Sequence, residues 1–209
     1  MTKRGRPRSF DRAATLRRAM EVFWVKGYEG TSMMNLIAAM GINSPSIYAA
    51  FGCKEELFRE AVALYRATDG GRIWDAMTAA PSAHMAIETM LCVSAEEFTR
   101  PSKPRGCLIV LEALHAGDGN KAVRRELQER RAESMAMLLL RLKRGVAEGE
   151  LPNGPDWRAI ASFYITVQQG MSIQARDGAS RKALRAVADC AMAAWDDLVS
   201  GCCDGKALR

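Results

Sequence analysis

Residues 31–51 have the sequence TSMMNLIAAMGINSPSIYAAF, and this stretch decides how the chain is interpreted. Apolar residues recur at helical spacing in its first half, which predicts a short helix beginning at Ser32. Gly41 allows a tight bend, and a second short helix is predicted to be capped by Ser44, with Pro45 at its first position. The first helix is expected to bury Met33, Leu36, Ile37 and Met40. Such a pair is typical of a helix-turn-helix that reads DNA, and an ordinary pair of core helices is the alternative.

The second helix of this pair is predicted to have two different faces. Ile47 and Phe51 are four residues apart and should anchor it inward. Small side chains on the outward face permit close approach to base edges, where Pro45 or Ala49 would meet a thymine methyl group and Ser46 would form a hydrogen bond. Two residues with a phenol or an ammonium group are better suited to phosphates, namely Tyr48 and Lys54.

The longer run GYEGTSMMNLIAAMGINSPSIYAAFGCKEELF closely resembles the DNA-binding segment of the TetR family of bacterial regulators. The residues that match, in order and at the family's spacing, are Phe23, Gly27, Tyr28, Thr31, Ser32, Leu36, Gly41, Ile42, Ser46, Tyr48, Phe51, Lys54, Glu55 and Leu57. The resemblance implies base contacts from Ser44, Pro45, Ser46 and Ala49, and phosphate contacts from Ser32, Tyr48 and Lys54. One departure is Cys53, which replaces the usual capping residue and should weaken the next helix by about 1 kcal/mol if no other acceptor substitutes.

Positive charge is concentrated at the start of the chain. The protein has 209 residues and a formal net charge of +6, and residues 1–18 contain seven Lys or Arg side chains but one carboxylate. Within this arm, Arg4, Arg6 and Arg8 resemble the core of an AT-hook, in which arginines enter a narrow minor groove. We expect the arm to add salt-sensitive DNA affinity, and a merely solvated basic tail is the alternative.

The periodicity elsewhere predicts an all-α protein. The resemblance implies an N-terminal helix-turn-helix domain followed by a C-terminal helical domain for ligand binding and dimerisation. The predicted divisions are a basic flexible arm (1–9), the DNA-binding domain (10–53), a connecting helix (54–70), the helical body (71–200) and a flexible tail (201–209). Beyond the connecting helix, helices are predicted near 73–79, 83–99, 104–116, 120–149, 156–177 and 180–200.

The resemblance to the TetR family implies that the helical body forms a dimer and binds a small molecule. The helices near 156–177 and 180–200 are Ala-rich and are expected to form a homodimer interface, with packing inside one chain as the alternative. A pocket for an unidentified small-molecule inducer is expected between the middle helices, although each candidate is also compatible with an ordinary core position. The candidates are Trp74, Met90, Phe98, Cys107, Leu111, Met135, Phe163, Tyr164, Val167 and Gln168.

Cys107 follows Arg105 and Gly106 near a predicted helix start, and both a cationic neighbour and a helix start lower a thiol pKa. The Gly-Cys-Leu stretch resembles one in a subgroup of TetR-like regulators that includes sensors of electrophiles or oxidants. Cys107 is therefore a candidate redox thiol, with a buried structural cysteine as the alternative. Cys202 and Cys203 are adjacent but have no further ligand nearby, so no metal site is predicted.

Several other classes of function are disfavoured. His84 and His115 lie in no recognisable nucleophile or metal motif, so neither enzymatic activity nor a cofactor is expected. Glu112 and His115 have the spacing of a di-iron ligand pair, but the repeated partners are missing. A DNA-binding protein without a ligand is a further alternative, which the long body disfavours. The polar start and the lack of an apolar run of about 18 residues predict a cytoplasmic protein with no membrane partner.

Overall fold

The structure of the protein is a computed structural model that describes residues 10–112 and 120–200. The predicted arm with Arg4, Arg6 and Arg8, and the tail with Cys202 and Cys203, lie outside the described residues. In the described part, regular structure is helical throughout, which confirms the predicted fold class. The helices are α1 Arg12–Lys26, α2 Met33–Met40, α3 Ser44–Phe51, α4 Lys54–Ala67, α5 Gly71–Ala79, α6 Ala83–Glu97, α7 Leu108–Leu111, α8 Lys121–Ala147, α9 Trp157–Arg176, α10 Arg181–Met192 and α11 Trp195–Ser200.

Helices α1 to α4 pack around one aromatic core. The carboxylate of Asp11 caps α1 by accepting from the Ala14 N–H at 3.0 Å, and the helix ends at Gly27 with φ +71°. The ring of Phe23 meets the ring of Phe58 edge-on, with 5.0 Å between centroids. Leu108, Ile109, Val123 and Leu127 from α7 and α8 join this core. The first four helices are therefore packed directly against the C-terminal body.

The remaining helices form a second core around α6, which packs against α5, α8, α9 and α10. Tyr164, Met90 and Phe98 are among its largest buried side chains. Apolar burial of this extent is the main driving force for assembling the helical body.

Two predicted helices of the body differ from the observed ones. The helix predicted over 104–116 begins only at Leu108, because Gly106 has φ +79° and cannot continue a helix. The helix predicted over 180–200 is split into α10 and α11. The Tyr164 hydroxyl donates to the Ala191 carbonyl at 3.3 Å, and the Ala194 N–H bonds that same carbonyl at 3.4 Å. The bond from the Ala194 N–H spans three residues instead of four, so the α-helical pattern is interrupted before Trp195.

Candidate DNA-binding surface and ligand cavity

The N-terminus of α3 is capped by Asn43 and not by Ser44 as predicted. The Asn43 side chain accepts from the Ser46 N–H at 3.0 Å, and Ser44 is the first helical residue. Asparagine is as good a cap as serine, and Pro45 is tolerated at the second position because the N–H there also lacks a partner within the helix. The cap fixes the end of α3 at which base contacts are predicted.

The rest of α3 is held by buried and charged contacts. Ile47 and Phe51 are buried, as the spacing predicts. The Arg12 guanidinium lies 4.4 Å from the centroid of the Phe51 ring, donates to the Ala50 carbonyl at 3.1 Å and pairs with Glu60 at 2.7 Å. These contacts tie α3 to α1 and α4, so the helix presents its outer face from a fixed position.

That outer face consists of small side chains and one tyrosine. Pro45 and Ala49 are exposed, Ser44 and Ser46 are half-buried, and Tyr48 is 51% exposed. The described part of the chain leaves this face largely open, and its small side chains leave room for close approach to DNA. The base contacts of Ser44, Pro45, Ser46 and Ala49 remain predictions.

The predicted phosphate contacts flank this face. Ser32 is exposed, and its hydroxyl caps α2 by accepting from the Asn35 N–H at 3.1 Å. The Lys54 ammonium lies 4.3 Å from the centroid of the Tyr28 ring, and burial lowers the pKa of this amine. At the preceding residue, the Glu56 carboxylate accepts from the Cys53 N–H at 2.8 Å, which is one of the two hydrogen bonds of a capping box and ties the start of α4 to the residue before it.

A cavity of about 400 Å³ lies in the body, between α4, α5, α7, α8 and α9. Its volume is typical of a site for a small organic molecule. Three predicted pocket residues contribute to its wall, namely Trp74, Cys107 and Gln168. The polar wall residues that the sequence analysis missed are Tyr65, Arg66, Asp75, Arg130, Arg131, Ser134 and Gln169. Helical periodicity places Tyr65 on the buried apolar face of α4 and predicts a solvated face for the charged residues, so it gives no signal that they line a cavity.

The other predicted pocket residues lie outside the wall of this cavity. Four of them are buried, namely Met90, Phe98, Leu111 and Tyr164. Met135 and Val167 are half-buried against the same core, and Phe163 is 40% exposed on α9. These apolar side chains stabilise the helical body around the cavity.

The environment of Cys107 differs from the prediction. Burial raises the pKa of its thiol, although a hydrogen bond with the Tyr65 hydroxyl acts in the opposite direction. Helix α7 spans only four residues, and the Arg105 guanidinium donates to the Ala179 carbonyl. The expectation of a lowered thiol pKa is therefore wrong, because desolvation outweighs the nearby charges.

The body is joined to the DNA-binding helices through several polar contacts. The Arg176 guanidinium on α9 donates to the Trp24 carbonyl at 2.5 Å, and the Trp24 indole N–H donates to the Gly106 carbonyl at 3.1 Å. The side chain of Asn120, which caps α8, donates to Glu55 on α4 at 2.6 Å. A shift of α8 or α9 would therefore act directly on α1 and α4.

Comparison with known families identifies the class of protein. Residues 16–61 match the model of bacterial regulatory proteins of the tetR family, and residues 87–191 match the tetracyclin repressor-like C-terminal domain. The chain belongs to the TetR family of transcriptional regulators, as its sequence predicts. Members of this family act as dimers and bind small molecules.

Individual relatives agree with this assignment. The chain is 34% identical to the HTH-type transcriptional repressor ComR of Escherichia coli (strain K12), over 94% of each chain. It is 46% identical to a cysteine mutant of the TetR-family regulator CifR that was solved with a 26-base-pair operator DNA, with a TM-score of 0.87 over 91% of this chain and 100% of the other. A TetR regulator from Rhodococcus sp. RHA1 is 36% identical, with a TM-score of 0.59 over 88% of this chain and 97% of the other.

The described residues contain neither a membrane-spanning helix nor a cluster of metal-ligating side chains. No described helix is long and apolar enough to cross a membrane. Within residues 10–112 and 120–200, no three His, Cys, Asp or Glu side chains are grouped so that they could hold a metal ion.

Proposed function

We propose that the protein is a repressor that binds a palindromic operator as a dimer and releases it when a small molecule fills the cavity. The observation that carries this proposal is the exposed face of small residues on α3, held in place by Asn43 and Arg12. Helix termini and small side chains suit close approach to base edges, with Tyr48 and Lys54 on the backbone. The similarity to a regulator solved on operator DNA supports the same orientation of α3.

The dimer is proposed to form through α9 and α10. Both helices leave small side chains exposed on one face, and a Cβ added at Gly170 would meet no atom within 4 Å. Small residues allow helices from two chains to approach closely. The exposed residues are Ala159, Ser162 and Thr166 on α9, and Ala183, Ala186 and Cys190 on α10. Two-fold symmetry would place two α3 helices about one turn of DNA apart.

Release is proposed to act through α4. Ala63, Arg66 and Ala67 contribute to the cavity wall, and α4 directly follows α3. A ligand that binds more tightly to one position of α4 shifts the dimer toward that position and changes the separation of the two α3 helices. The protein then acts by binding in the cytoplasm, where the bacterial chromosome lies, and no catalytic step is required.

A redox role for Cys107 is the second candidate, and its place in the cavity wall is the observation that favours it. The raised thiol pKa lowers the thiolate fraction at neutral pH and slows reaction with electrophiles. We expect iodoacetamide to label exposed Cys53 before Cys107, as measured by mass spectrometry of the folded protein. Faster labelling of Cys107 would make the reactive role the primary one.

The experiment that tests the proposed function is selection of bound duplexes from a random DNA pool by the purified full chain. We expect an enriched palindrome whose half-sites are one helical turn or slightly more apart. Enrichment of no common sequence would contradict the proposal. A matching site between genes next to the protein's own gene would identify the operator and the regulated target.

A further inference from the structure

We propose that the cavity binds a small organic acid, with its carboxylate on Arg131 and its apolar body against the aromatic and aliphatic wall. This inference rests on the proposed function of the cavity as the inducer site. It adds the chemical class of the ligand and the residue that selects it.

The apolar part of the wall fits a compact hydrophobic group. It is formed by Ile73, Trp74, Ile109, Val110, Met137 and Ile165. The volume of about 400 Å³ equals the space of roughly a dozen water molecules at ~30 Å³ each. Burial of a ring or a short alkyl chain here would supply the nonspecific part of the affinity.

Three arginines contribute to the wall, and two of them already have carboxylate partners outside it. Arg66 pairs with Glu133 at 2.8 Å. Arg130 also pairs with Glu133, at 3.0 Å, and with Glu126 at 3.4 Å. The charges of these two side chains are therefore balanced within the chain.

Arg131 differs from Arg66 and Arg130 in its ion pairing. Among the described residues, no carboxylate lies within 4 Å of its guanidinium, which donates to the Ile109 carbonyl at 3.2 Å. The side chain is half-buried, and desolvation lowers the pKa of the group, although an arginine stays protonated at neutral pH. A partly desolvated guanidinium whose remaining donors have no carboxylate partner in the described part of the chain is well suited to bind a carboxylate through two parallel hydrogen bonds.

The remaining polar groups of the wall define how such an acid would be oriented. Gln168 is buried, and among residues 10–112 and 120–200 its amide donates to Ser94 alone, at a long 3.4 Å, which leaves capacity for a further hydrogen bond. Asp75 is the carboxylate of the wall and is exposed, so it disfavours an anion at its own end of the cavity. The acid group is therefore directed to Arg131 and away from Asp75.

The test compares acids with their neutral amides on the full-length protein by isothermal calorimetry. The probe pairs are benzoate and benzamide, phenylacetate and phenylacetamide, 3-phenylpropionate and 3-phenylpropionamide, and octanoate and octanamide. Benzylamine and 2-phenylethylamine serve as cationic probes. We expect at least one acid to bind about tenfold or more tightly than its amide, with the amines weakest. The proposal is overturned if no acid exceeds its amide, or if an amine binds best and Asp75→Asn removes that binding.

The matched variants are Arg131→Gln and Arg125→Gln, which lie on the same helix. The Arg125 side chain is 82% exposed and pairs with Glu129 at 3.0 Å. Loss of hydrogen bonds between charged groups predicts about 10- to 100-fold weaker acid binding for Arg131→Gln, and no more than a twofold change for Arg125→Gln. Equal acid affinity in all three proteins would overturn the assignment of Arg131. The acid and amide comparison on the wild-type protein decides the ligand class even if Arg131→Gln folds poorly.

Measurement of operator binding in the same samples separates the two proposals. If acids bind and the operator DNA stays bound, the proposed ligand class is supported, and the proposal that a ligand in the cavity releases DNA is wrong. If the protein binds its operator but binds no acid more tightly than its amide, the proposed ligand class is wrong, and the proposed DNA-binding function is supported.

Discussion

The DNA-binding surface and the ligand cavity are built from the sequence in opposite ways. The surface is made by one continuous stretch from Ser32 to Lys54, whose shape is set by two caps and two glycines. The cavity wall combines residues between Ala63 and Gln169 from five helices. A local unit should tolerate changes to its exposed residues without unfolding, whereas an assembled region should lose stability when a close approach between its segments is blocked.

The largest expected effect tests the assembled region through Gly106→Ala. A Cβ at Gly106 would lie 2.6 Å from the Ser172 carbonyl oxygen, at a residue with φ +79°. Backbone strain and the steric clash together predict a loss of about 3 kcal/mol in the free energy of unfolding. Urea denaturation measures this loss.

Gly149→Ala is the matched control. Gly149 has φ +77°, but an added Cβ would meet no atom within 4 Å. Strain alone predicts a loss of about 1 kcal/mol. Equal losses for the two variants would show that the approach of Gly106 to Ser172 is not a constraint on the fold.

Tyr48→Ala tests the local unit. Loss of a phosphate contact predicts about 10- to 100-fold weaker operator binding by fluorescence anisotropy. The free energy of unfolding should change by less than about 0.5 kcal/mol, because the side chain is exposed. Met85→Ala, at an exposed position of the body, should alter neither quantity. Unchanged DNA affinity in Tyr48→Ala would show that Tyr48 does not contact DNA.

Asn43→Ala should have a smaller effect on DNA affinity than Tyr48→Ala, and it should also lower the free energy of unfolding. Loss of the cap on α3 predicts a destabilisation of about 1 kcal/mol and a several-fold weaker affinity for DNA. Asn153→Ala, in an exposed loop of the body, is the control. A destabilisation no greater than that of the control would mean that Asn43 does not fix the start of α3.

The smallest expected effect is a pH dependence at the start of α4. The Cys53 N–H lowers the pKa of the Glu56 carboxyl below its usual value. A lowered folded-state pKa means that this group stabilises the protein above its unfolded-state pKa, and that the contribution is lost as the pH falls through the folded-state value. The melting temperature of Glu56→Gln should therefore be slightly below that of the wild type at pH 7, and the difference should shrink as the pH is lowered. A constant difference would exclude this charge effect.

The same contrast explains what the sequence could predict. Ser32, Gly41, Ile47 and Phe51 act through neighbours a few residues away, so spacing and residue type identify their roles. The error at the cap of α3 was one residue, because Asn43 and Ser44 are both good caps. The break between α10 and α11 coincides with a hydrogen bond from the Tyr164 hydroxyl to the Ala191 carbonyl, 27 residues away, and a local sequence pattern does not show such a contact.

The cavity was predicted only in part for the same reason. Trp74, Cys107 and Gln168 could be named because apolar or uncharged residues suit a pocket. Arg131 could not be named, because the positions of carboxylates around its side chain depend on segments that are distant in the sequence. A pattern along one helix does not show which of two adjacent arginines, Arg130 or Arg131, is paired.

Binding of a dimer to two half-sites is tested most directly by fluorescence anisotropy. The affinity for the selected duplex with both half-sites intact is compared with the affinity for the same duplex after one half-site is scrambled. Native mass spectrometry of each complex gives the number of chains bound. Binding by two α3 helices predicts two chains per intact duplex and at least about 100-fold weaker binding to the scrambled one, since each mismatched base pair costs about 1–3 kcal/mol. Equal affinity for the two duplexes, or one chain per intact duplex, would contradict it.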